Sequence, residues 1–90
     1  MEKIIITVVG KDSVGIIAVV CQTLSEHKVN ILDISQTIVD DFFNMMMIAD
    51  MQKCDISFES LKANLKTAGE EKGVMVHCQR EEIFTSMHRV

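Results

Sequence analysis

Two extended apolar runs, "VNILDISQTIVD" and "FFNMMMIADM", meet at the acidic pair Asp40 and Asp41, which leaves room only for a tight turn between antiparallel strands. The second run is the stronger constraint. It sets Phe43, Met45, Met47 and Ala49 on one face and Phe42, Met46 and Ile48 on the other, so both faces of that strand need a cover. In the first run Leu32, Ile34, Gln36 and Ile38 alternate with Asp33, Ser35, Thr37 and Val39. A chain built around this hairpin has to supply further strands beside it and helices above it.

The flanking segments supply both. "KIIITVV", Lys3 to Val9, is a β-branched run that ends at Gly10. Asp12 or Ser13 is expected to cap a helix from about Val14, with Ile17, Val20, Cys21 and Leu24 as its apolar stripe and an end near His27 and Lys28. After the hairpin, Ser57 reads as a second cap, with Ile56 and Leu61 placed as a hydrophobic staple. Phe58, Leu61, Leu65 and Ala68 form the stripe of that helix, which should stop by Gly73. "VMVHCQ" alternates as a last strand, and "EEIFTSMHRV" reads as a short C-terminal helix with Ile83, Phe84 and Met87 inward. The order β-α-β-β-α-β predicts an α+β, ferredoxin-like sandwich over residues 1–90, a single domain with a four-stranded antiparallel sheet and two helices on one face.

Composition excludes several functions. A net charge of −4 with scattered Lys and Arg leaves no footprint for nucleic acid, and the short apolar N-terminus is no membrane span or signal peptide, so a cytoplasmic protein is expected. Cys21, Cys54 and Cys78 form no CxxC pair and read as buried reduced thiols. His77 and Cys78 are adjacent in a strand and point to opposite faces, which removes a Cys-His nucleophile and a metal site built from that pair. The loop after the first strand offers Lys11 and no arginine, so phosphate chemistry of the acylphosphatase kind lacks its anchor. No catalytic residue, metal ligand or cofactor is expected. Ninety residues leave little surplus stability, which makes a homodimer or larger assembly the expectation.

The turn "GKDSVG" between the first strand and helix could join the two elements only, or could offer backbone N–H groups and a helix N-terminus to an anion. Together with "HKVNILDIS" and "DDFFNMMMIAD" it resembles the ACT domain, a small regulatory module attached to many amino-acid biosynthetic enzymes, in its free-standing form. "VVGKDSVGI" and "VNILDIS" are also similar to the repeats of glycine cleavage system repressor-like regulators. The family motif falls on Asp12, Gly15, Asn30 and Ile31. The resemblance implies a domain pair with a small-molecule site between the subunits, the loop of one and the Asn of the other sharing an amino acid. On that basis the ligand-binding residues are Lys11, Asp12, Ser13, Val14, Gly15, Ile16, Asn30 and Ile31. Members that bind serine carry histidine, asparagine and proline where this chain has Gly10, Asp12 and Val14, so serine is not implied. The rival expectation is a module that regulates an enzyme or transcription factor by protein contact alone, through the soft surface of Met45, Met46, Met47 and Met51.

Overall fold

The computed structural model describes residues 1–11 and 15–82. The elements run β1 (Lys3–Lys11), α1 (Ile16–Glu26), β2 (Asn30–Val39), β3 (Phe42–Asp50), α2 (Phe58–Glu71) and β4 (Val74–Arg80). All strand pairs are antiparallel in the order β2-β3-β1-β4, which is the ferredoxin-like arrangement expected. A helical start at Glu81 and Glu82 follows β4, while Ile83, Phe84 and Met87 of the expected C-terminal helix lie outside the described residues.

The core is the space between the sheet and the two helices. Ile4, Ile6 and Val8 of β1, Phe43, Met45, Met47 and Ala49 of β3, and Val74 and Cys78 of β4 point into it. From α2 come Phe58, Leu61 and Leu65, the stripe read from the sequence. Ser57 caps that helix as expected, its hydroxyl accepting from the Ser60 N–H at 3.1 Å, and half-buried Ile56 packs against the core that contains Leu61.

Helix α1 departs from expectation in two ways. Its cap position is Gly15, in the left-handed region at φ 88°, rather than the expected Asp12 or Ser13, and the first helical residue is Ile16 rather than about Val14. Asp12, Ser13 and Val14 themselves lie outside the described residues. The buried spine is Ile16, Val20 and Leu24, while Ile17 is exposed and Cys21 only half-buried. Two adjacent isoleucines satisfy a helical period equally well, and the later start turns the first of them inward. The far end closes on Lys28 at φ 62°: the Lys28 N–H donates to the Ser25 carbonyl at 3.2 Å and the Val29 N–H to Leu24 at 3.0 Å. That is a Schellman closure with lysine in the place that usually takes glycine, accompanied by contact between two buried apolar residues, Val29 and Leu24.

At this same end the ring of His27 ties the end of α1 to α2. Its Nδ1 lies 2.9 Å from the Asp55 carboxylate and its Nε2 lies 3.4 Å from the Asn64 amide nitrogen on α2. With the Asn64 amide donating to Nε2, Nδ1–H donates to Asp55.

The two outer strands differ. β2 is bulged between Ile31 and Asp33, which throws Leu32 out of register; Ile34, Gln36 and Ile38 share a face as read, opposite Met47, Met45 and Phe43. That face is nevertheless wet, because α1 barely reaches β2 and every residue from Leu32 to Val39 is exposed. On the side of the sheet away from the helices, Phe42 is 56% and Met46 38% exposed, so the described residues do not supply the second cover that β3 calls for. The three cysteines are free: Cys78 is buried, and Cys21 and Cys54 are half-buried rather than fully buried as expected. Among the described residues no helix is long and apolar enough to cross a membrane.

Candidate functional site

Gly10 and Gly15 do different work at the end of β1. Gly10 faces Val74 across the β1–β4 ladder, and a Cβ there would sit 2.7 Å from a Val74 methyl and 3.0 Å from its Cα, so glycine is what lets the two strands run side by side to their ends. Gly15 takes the positive φ that turns the chain into α1. The first turn of α1 holds no acidic side chain, which leaves the positive end of the helix uncompensated from within. A second positive group adjoins it. Lys72 lies just beyond α2, with its Nζ 3.4 Å from the position a Gly15 Cβ would take. Lys72 was not among the expected ligand residues. A trace of it was present, since it directly precedes Gly73, the turn glycine before the last strand, and that strand begins beside Gly10.

Of the expected ligand residues, Lys11, Gly15 and Ile16 stand at this end of the molecule, Lys11 exposed at the tip of β1 and Ile16 buried beneath the turn. Asn30 and Ile31 do not. Asn30 pairs with Asp50, which pairs with Lys3, whereas Lys11 pairs with Phe42 and Phe42 with Val39. The two groups are therefore separated by the length of β1, eight residue steps or about 26 Å. The fifteen positions from Gly15 to Asn30 read as a helix that returns the chain to the same region of the sheet, and the structure corrects that reading. An eleven-residue helix antiparallel to β1 delivers the chain to the opposite end.

At that opposite end Asn30 is exposed and Ile31 half-buried against the core. A cavity of about 460 Å³ opens between α1 and the start of β2, lined by Cys21, Ser25, Lys28, Val29, Asn30 and Ile31. Burial raises the Cys21 thiol above its ordinary range, so it stays protonated and unreactive at neutral pH. Beside Asn30 the Asp50 carboxylate accepts from the backbone N–H groups of Gln52 and Glu2, each at 3.0 Å. These bonds, the one from Gln52 foremost, hold its carboxyl below the usual carboxylate value. Burial pushes the Cys78 thiol up to about 11, against a smaller downward pull from Lys62 and Arg80. Among the described residues no polar or charged residue is buried, and no three His, Cys, Asp or Glu side chains gather to hold a metal ion.

This arrangement matches known proteins along nearly its whole length. The model of the ACT domain matches residues 2–79. The chain belongs to the ACT-domain family. A UPF0237 protein of Bifidobacterium longum is 60% identical over 90 residues, with all of both chains covered, and one of Methanocaldococcus jannaschii is 46% identical over 90 residues, again with full cover. Among solved structures, an ACT domain protein from Streptococcus pneumoniae superposes with a TM-score of 0.80 at 38% identity, covering 92% of this chain and 93% of that one. A putative glycine cleavage system transcriptional repressor shares the fold, with a TM-score of 0.74 at 21% identity over 88% of this chain and 45% of its own. The chain is thus an ACT regulatory module that spans the full length of these two UPF0237 relatives.

Proposed function

We propose that this ACT domain senses a small carboxylate metabolite, an amino acid, held between two copies of the chain in the cytoplasm. The observation that carries the reading is the separation of the two halves of the family motif. Lys11 and Gly15 stand at one end of the sheet and Asn30 at the other, too far apart to touch one ligand within a chain. Antiparallel pairing of two β2 edges across a two-fold axis sets Asn30 of the partner subunit against Val39, in the row that also holds Phe42 and Lys11. The exposed apolar residues Ile34 and Ile38 along that edge favour such pairing. In this reading the N–H groups at the start of α1, with Lys72 and Lys11 near them, receive the carboxylate. Asp12 receives the ammonium, and Asn30 of the partner completes the hydrogen bonding.

Two measurements test it. Light scattering at micromolar concentration should report at least twice the chain mass of 10.1 kDa. Calorimetry with the standard amino acids at millimolar concentration should find a binder, and Asp12→Ala should weaken it by about 1.5–3 kcal/mol, the range for a hydrogen bond to a charged group. Gly15→Val should weaken it further, because a β-branched residue is strained at φ 88°. A monomer that binds none of these compounds, or unchanged affinity in Asp12→Ala, refutes the shared site and leaves regulation by protein contact. Of the methionine surface expected for this second reading, Met45, Met47 and Met51 are buried in the core and Met46 alone is exposed, so the observation that favours it is the exposed apolar surface of Phe42, Met46 and Met75.

A further inference from the structure

Strand β4 is the other edge of the sheet, and its surroundings differ from those of β2. It pairs with β1 on one side, which leaves alternate N–H and C=O groups directed outward on the other. Between this edge and α2 runs a groove of about 270 Å³ with Val74 and Val76 on its floor. Lys62 and Lys66, one helical turn apart and both exposed, form its upper wall. Arg80 extends the positive side to the end of the strand, its guanidinium 4.5 Å over the Phe58 ring. In a chain of net charge −4 these three cations gather along one edge, against Glu70 in the groove and Glu59 toward Cys78.

We infer that the β4 edge binds an extended acidic segment of a partner protein, added to the sheet as a fifth strand. Backbone pairing supplies the affinity that any strand would gain, and the side chains select which strand. Alternation sends every second residue of the guest toward α2, where carboxylates meet Lys62 and Lys66, and the others toward Met75 on the opposite face, where an apolar side chain fits. The guest is therefore acidic and apolar in turn. The metabolite reading does not enter this inference, because none of its residues lines this groove.

The probe is a blocked, fluorescein-labelled peptide, Glu-Val-Glu-Val-Glu-Val, titrated by fluorescence anisotropy into the full chain at low and high salt. Saturable binding below millimolar, weakened about tenfold or more in the double variant K62E/K66E with an unchanged circular dichroism spectrum, is the expected result. Hydrogen exchange should slow at alternate amides of Val74–Arg80 on adding the peptide and stay unchanged along Asn30–Val39. Four results overturn the inference. They are no binding at millimolar peptide, equal affinity for a peptide of glutamate alone, protection on β2 instead of β4, or β4 amides already protected at high protein concentration without peptide, which would mean that a second copy fills the edge.

Discussion

Gly69, in the last turn of α2, lies close against β4, and Gly69→Ala sets two effects against each other. Glycine inside a helix is disfavoured relative to alanine by about 1 kcal/mol, so on propensity alone the substitution stabilises. An added Cβ, however, would sit 2.5 Å from Cγ2 of Val76 and 3.1 Å from the Val74 carbonyl oxygen on β4. The first neighbour is a half-buried β-branched side chain with few alternative rotamers, and the second is strand backbone. Overpacking of this kind costs about 1–3 kcal/mol and rises toward the upper end where backbone has to yield. The packing term wins, and Gly69→Ala should lower stability by about 1–2 kcal/mol. A double-mutant cycle identifies the cause. Val76→Ala removes the nearest methyl, so Gly69→Ala in that background should cost at least about 1 kcal/mol less than in the wild type. Urea unfolding followed by circular dichroism reads all four proteins. A Gly69→Ala protein more stable than wild type, or single costs that add within about 0.5 kcal/mol, would refute the close approach of α2 to β4.

Other perturbations probe the same core. Cys78 keeps its proton to about pH 11 in the folded chain but to about its ordinary 9.0 once unfolded, so its contribution is constant below pH 9 and declines from there to 11. The stability gap between wild type and Cys78→Val should therefore shift against the wild type by about 3 kcal/mol across that window, read by denaturant titration at each pH; a constant gap refutes the burial of the thiol. Phe58→Ala should cost about 3–5 kcal/mol, whereas Arg80→Ala, which removes only the cation above the ring, should cost about 0.5–1 kcal/mol by thermal unfolding. Ser57→Ala should cost about 1 kcal/mol through the lost cap on α2, while Ser57→Gly should lose only a few tenths.

Elements set by period and capping were legible in the sequence. The β3 alternation, the α2 stripe and the Ser57 cap each follow from side-chain spacing alone, and all three stand in the structure. What depends on the place of an element in the assembly was not legible. Alternation in β2 identifies a strand but does not say that the strand is an edge beyond the reach of α1, which is why its apolar residues stand wet. The left-handed turn at Lys28 carries no glycine to announce it. In the candidate site, Gly15 was readable as a turn, whereas the 26 Å or so between Lys11 and Asn30 comes from the direction of α1. Lys72 reaches Gly15 through the meeting of β4 with β1, a contact between residues 57 positions apart.

The placement of β1 also governs how the chain folds as it is made. The strand synthesised first lies inside the sheet, flanked by β3 and β4, and none of its ladder bonds goes to the strand nearest in sequence. On the ribosome it has no partner until β3 emerges, and its second side stays open until Arg80 can reach Ile4. "KIIITVV" is thus an unpaired β-branched segment for most of translation. Slowing elongation before residue 42 should lengthen that exposure and lower soluble yield, whereas a pause after residue 50 lets the β1–β3 ladder form first and protects it.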